Sequence, residues 1–115
     1  MGHLTTHVLD ISNGCPAAAI RIELFRSGHA TPITTVTTNS DGRCDAPLLA
    51  DEGFVAGSYE LVFHAGEYFT AKGHEDGQYR FLDQVVIRFG VDDTEQHYHV
   101  PLLLSPFGYS TYRGS

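Results

Sequence analysis

Punctuation limits the folds open to this chain more than any other feature. Short runs of alternating apolar and polar residues are broken about every ten residues by Gly, Pro, Asn or Asp. Alternation puts every second side chain on one face of an extended strand, so these runs read as half-buried strands. Turns this closely spaced join strands into antiparallel pairs, because parallel pairs need long crossovers. Strands are predicted near 4–11, 19–26, 32–38, 43–48, 58–64, 84–90, 96–104 and 109–113, with turns at Ser12-Asn13-Gly14, Ser27-Gly28, Asn39-Ser40-Asp41-Gly42, Asp92-Asp93 and Ser105-Pro106. About eight strands suffice for two packed sheets, so the fold class expected is all-β, a two-sheet antiparallel sandwich. One short helix is predicted, Gly66 to Lys72, with Gly73 able to stop it.

The chain has 115 residues, room for one modest core and a single domain over 1–115. Its formal charge of −7, with only seven Lys and Arg, argues against nucleic acid or an anionic membrane as partner. The N-terminus, Met1-Gly2-His3-Leu4-Thr5-Thr6-His7, lacks a basic stretch followed by an apolar run, and no segment offers the roughly 18 consecutive apolar residues of a membrane helix. A soluble, cytoplasmic protein is expected. Cys15 and Cys44 are too few for a disulfide scaffold and read as reduced thiols, with a catalytic Cys-His pair as the alternative.

Three segments carry polar groups that could do chemistry. In the first strand His3, Thr5 and His7 share one face while Leu4, Thr6 and Val8 share the other, where Leu4 and Val8 read as core. In the last third His97 and His99 share a face, and Pro101 follows with no backbone donor, which points to a sheet edge or an interrupted ladder beside them. Between these, the turn Ser40-Asp41-Gly42 presents Arg43, whose guanidinium offers a fixed fork of donors to carbonyl oxygens. Taken by themselves, the histidines read more readily as hydrogen-bonded strand residues and Arg43 as a surface cation.

The segment Leu4-Thr5-Thr6-His7-Val8-Leu9-Asp10 followed by Gly14-Cys15-Pro16-Ala17, the pair Gly42-Arg43, the run His97-Tyr98-His99-Val100-Pro101-Leu102-Leu103-Leu104-Ser105-Pro106 and the final Tyr112-Arg113-Gly114-Ser115 together resemble the transthyretin-like family. Two dense motifs at the ends and one anchor between them cover nearly the whole chain. The fold this implies is the transthyretin (prealbumin) sandwich, and the assembly implied is a homotetramer, a dimer of dimers with sites in the channel between dimers.

Within that family the histidines, the arginine and the Tyr-Arg-Gly-Ser ending are similar to those of the hydrolytic branch. The resemblance therefore implies opening of the six-membered ring of 5-hydroxyisourate by water, a step of urate and purine breakdown that yields a carboxylated ureidoimidazoline. By resemblance the catalytic set is His7, Arg43, His99 and Ser115, and the substrate-binding set is His7, Arg43, His99, Tyr112 and Ser115. His7 and His99 would jointly activate water and deliver protons, Arg43 would stabilise the oxyanion, and Ser115 would orient water or a histidine. Arg113 is expected to pair with a carboxylate or phenol, and Gly114 to allow a tight turn. No metal, nucleotide or organic cofactor is needed. Two rivals stand beside this reading: a zinc site built from His3, His7, His97 and His99, and a small-ligand carrier without catalysis.

Overall fold

The computed structural model describes residues 1–75 and 77–114, so Ser115 lies outside the described residues. Among the described residues nine strands form two sheets: β1 (His3–Asp10), β2 (Cys15–Pro16), β3 (Arg21–Arg26), β4 (Thr34–Thr37), β5 (Leu49–Ala50), β6 (Gly57–Phe63), β7 (Val85–Val91), β8 (Tyr98–Ser105) and β9 (Gly108–Thr111). One sheet runs β2-β1-β8-β9 with β5 also paired to β1, and the other runs β4-β3-β6-β7. The inner faces pack Leu4, Val8, Ile22, Leu24, Leu61, Phe63, Leu102 and Leu104 out of contact with water. Each such side chain contributes roughly 1.5–3 kcal/mol of burial. The all-β sandwich inferred from alternation is the observed fold.

One pairing departs from the antiparallel expectation. β1 and β8 run parallel, in register Thr5 with His99 and His7 with Pro101. They are the first and eighth strands, and the rest of the sandwich supplies the crossover that parallel neighbours require. Residues 43–48 also depart, since Arg43 pairs in an isolated bridge to His7 and the chain rejoins β1 where Leu48 N donates to Leu4 O and Leu49–Ala50 pair. Pro47 has no amide hydrogen to give a ladder, and the Asp45 carboxylate is held by the side-chain amide of Asn39 at 3.0 Å.

The helix α1 (Ala65–Ala71) forms within a residue of its predicted place, and Gly73, at φ +83°, follows it in the left-handed conformation that ends helices. It docks through the Tyr68 hydroxyl, which donates to Asp10 Oδ2 at 2.8 Å. Asp10 is buried at the end of β1 and also accepts from Ser12 N, Ser12 Oγ, Asn13 N and Asn13 Nδ2. Burial alone would raise its pKa, but these donors outweigh burial and hold the carboxyl below its usual range.

Candidate active site

The outer face of the β1–β8 pair gathers the polar residues that alternation singled out. β1 alternates half-buried His3, Thr5, His7 and Leu9 with buried Leu4, Thr6, Val8 and Asp10. On β8, His99 is half-buried between buried Tyr98 and Val100. The parallel register sets His99 beside Thr5, with His7 one step along the diagonal, roughly 7–8 Å away.

The loop from Asn39 to Leu48 brings Arg43 to the same place. Asn39 Oδ1 accepts from the amides of Asp41 and Arg43, and the Asn39 amide donates to Arg43 O, closing the turn on itself. Gly42 sits at φ +74°, and its carbonyl accepts from Val8 N at 2.9 Å. A Cβ there would lie 2.4 Å from Val8 O, so no other residue brings the turn this close to β1. This contact sets Arg43 opposite His7 across the edge of the strand. His7 Nε2 lies 2.8 Å from Asp41 O, and because a carbonyl only accepts, Nε2 carries the proton and Nδ1 is the lone-pair nitrogen of the neutral ring.

Where residues 44–48 leave the ladder they wall a cavity of about 390 Å³, lined by Thr5, Arg43, Cys44, Pro47, His97 and His99 among others. Burial lowers the His99 pKa first, and the charges of Arg43, His97 and His7 lower it further. Burial and His3 likewise lower that of His97. Both rings are neutral near pH 7. The Cys44 thiol is pushed up by burial and by Asp45, which keeps it protonated and a poor nucleophile.

The tail returns to this site. Gly114 N donates to His99 O at 2.8 Å, in the register that continues the β8–β9 pairing past Leu102 and Thr111. The gap in that ladder falls where Pro101 has no N–H for Tyr112, so the proline interrupts the ladder as expected but lies in an inner strand rather than at an edge. Gly114 serves close approach, not a left-handed turn, since a Cβ there would stand 2.7 Å from His99 Cδ2. Among the described residues Arg113 meets a phenol, that of Tyr98, and no carboxylate. Its guanidinium lies 4.0 Å from the Tyr98 ring centroid and donates to Gln96 Oε1 at 2.7 Å.

His7, Arg43 and His99 are therefore brought to one face, and Tyr112 is not. Tyr112 is exposed and lines a separate groove with Ile87, Phe89 and Val100. Among the described residues no group of three or more His, Cys, Asp or Glu side chains is arranged to hold a metal ion. His3, one of the four histidines weighed for zinc, stacks on His97 at 4.0 Å between centroids. The residue the sequence reading passed over is Thr5, whose hydroxyl lies 2.8 Å from His97 Nε2 and 2.7 Å from His99 Nδ1. Its place on the face of His3 and His7 was the signal available.

Compared with known proteins, residues 4–114 match the model of a family described as HIUase/Transthyretin family. The chain belongs to that family. A 5-hydroxyisourate hydrolase of Pseudomonas aeruginosa is 56% identical, over 100% of this chain and 93% of the relative. The solved structure of the Klebsiella pneumoniae 5-hydroxyisourate hydrolase superposes with a TM-score of 0.83 at 36% identity, covering 100% of both chains. A solved (S)-allantoin synthase matches with a TM-score of 0.93 at 48% identity over 99% of this chain, which spans only 44% of that longer protein. Family membership thus agrees with the motifs at both ends of the sequence and with the two-sheet fold.

Proposed function

We propose that this chain hydrolyses 5-hydroxyisourate, opening its six-membered ring to the carboxylated ureidoimidazoline. The observation that carries the reading is a cavity lined by His99 and Arg43, with His7 bridged to Arg43 on the same side of β1. Full-length relatives bearing the hydrolase name support it over the carrier alternative. Water attacks the ring carbonyl as His99 or His7 takes its proton, a role worth roughly a hundred- to ten-thousandfold in rate. Arg43 donates to the oxygen that gains charge in the tetrahedral intermediate, a contribution of roughly a hundred- to a thousandfold. The protonated histidine then gives its proton to the departing ring nitrogen. Ser115 orients the water or a histidine, a role favoured by the docking of its neighbour Gly114 on His99.

The working unit in this proposal is a homotetramer of single-domain chains, acting in the cytoplasm on the small-molecule substrate alone. β7 and β9 are sheet edges, and the exposed Phe107, Tyr109 and Tyr112 near β9 favour burial by a partner. Tyr112 takes part in binding only across such a subunit boundary. The two free thiols agree with a reducing compartment. The decisive experiment is the absorbance decay of freshly made 5-hydroxyisourate with and without purified protein. A strong acceleration is expected, and decay at the spontaneous rate would sink the proposal.

A further inference from the structure

The Thr5 hydroxyl has a single proton and stands between two imidazole nitrogens, 2.8 Å from His97 Nε2 and 2.7 Å from His99 Nδ1. Both contacts are made only if one ring donates to Thr5 Oγ1 while Thr5 donates to the other. The two tautomers are therefore linked: if His99 carries its proton on Nδ1, Thr5 must donate to His97 Nε2, and His99 Nε2 is left as the free base beside the cavity. We propose that Thr5 is a positioning residue whose shared hydroxyl holds His99 in this tautomer and gives its proton a path to His97.

The inference rests on the proposed hydrolysis, in which His99 exchanges protons with water. As the water oxygen bonds to the ring carbonyl carbon, its proton moves to His99 Nε2. The Nδ1 proton then passes to Thr5 Oγ1 while the original Thr5 proton passes to His97 Nε2. His99 ends neutral with its proton on Nε2, Thr5 regains a hydroxyl, and the positive charge rests on His97. Reversing the two transfers restores the proton to His99 for the leaving nitrogen, so nothing is gained or lost over the cycle. The two rings suit an exchange of this kind, because burial and neighbouring charge lower both pKa values and neither keeps the proton strongly. Among the described residues the titratable and charged groups around the pair are His3 and His7 on β1, Arg43, Cys44 and Asp45 on the loop, and Arg113 on the tail.

Thr5→Val, of nearly equal shape, removes the hydroxyl, Thr5→Ser keeps it, and Thr5→Ala controls for the added methyl. Two readouts are needed: steady-state kinetics against pH, and nitrogen NMR of the imidazole rings, which reports the tautomer without any substrate. Thr5→Val and Thr5→Ala are expected to lower kcat about tenfold with KM little changed and to shift His99 toward the Nε2–H tautomer, while Thr5→Ser restores both. In a His97→Ala background Thr5→Val should add little further loss, as for residues acting as one unit. A wild-type rate in Thr5→Val, an unchanged tautomer, equal loss in Val and Ser, or fully additive losses would each overturn the inference. An inactive wild type would overturn the proposed hydrolysis instead, and the NMR readout would still decide whether Thr5 sets the His99 tautomer.

Discussion

Gly114 lies so close against His99 that a methyl group at position 114 would stand 2.7 Å from Cδ2 and 3.3 Å from Cβ and Cγ. The tail thus fixes the ring from the side opposite its strand neighbours. Gly114→Ala should push the imidazole out of line and lower kcat by roughly tenfold to a hundredfold, since small misplacements of reacting groups are costly. Melting temperature should change little, because the residue lies outside the core. A normal rate in this variant would show that the ring tolerates displacement.

Removing the groups assigned to the chemistry gives larger effects. His7→Ala, His99→Ala and Arg43→Ala are each expected to lower the rate on 5-hydroxyisourate by at least about a hundredfold while the fold persists. His97→Ala should cost less, since it acts through Thr5. Circular dichroism and initial rates measured on the same preparations check both statements. Full activity in any of the first three would remove that residue from the site.

The pH dependence follows from the lowered pKa of His99. Burial first, then Arg43 and the neighbouring histidines, hold it below the ordinary histidine value of about 6.5, so the basic form persists into mildly acidic solution. The acid limb of the rate should have its midpoint below the ordinary histidine value, and Arg43→Gln should move that limb upward. For stability the sign is the same. Above the ordinary value folded and unfolded forms are both neutral at His97 and His99, and as pH falls the unfolded form binds protons first and stability drops until the folded pKa values are passed. Rate profiles and denaturation midpoints between about pH 5 and 8 test the two halves.

Tyr68→Phe isolates a purely structural contact. Losing its hydroxyl leaves buried Asp10 short of one donor, at a cost of roughly 1–3 kcal/mol, with activity unchanged because the contact lies on the inner side of β1. The stability that Asp10 contributes is present above the unfolded carboxyl value and is lost as pH falls through its lowered folded value. Urea titrations of wild type and variant at neutral pH and in acid should show the difference between them shrinking as pH falls.

Much of this was readable from residues because parity is local. Alternation along β1 placed His3, Thr5 and His7 on one face, and the Gly42 turn and α1 lie where their residue types put them. What parity cannot supply is the neighbouring strand. That β1 pairs with β8 in parallel, so that one hydroxyl meets two histidines, is settled by the whole sandwich. Residues 43–48 had strand composition, but Asn39 and Pro47 overrule propensity and give the site a wall. Gly114 was singled out for a turn rather than for close approach, and Arg113 meets the phenol offered for it through the ring face, because both uses depend on partners that only the folded chain brings up.

The hydrogen bond between Thr5 and His99 joins residues 94 positions apart. Closing so long a loop is entropically expensive and slow, and folds dominated by such pairings reach their native state late. On a ribosome, Thr5 and His7 emerge long before the strand that completes them, so no growing chain has both halves of the site. Capacity to act on substrate should consequently appear in refolding as the final event, after the β3–β4–β6–β7 sheet, whose strands are near neighbours in sequence, has already formed.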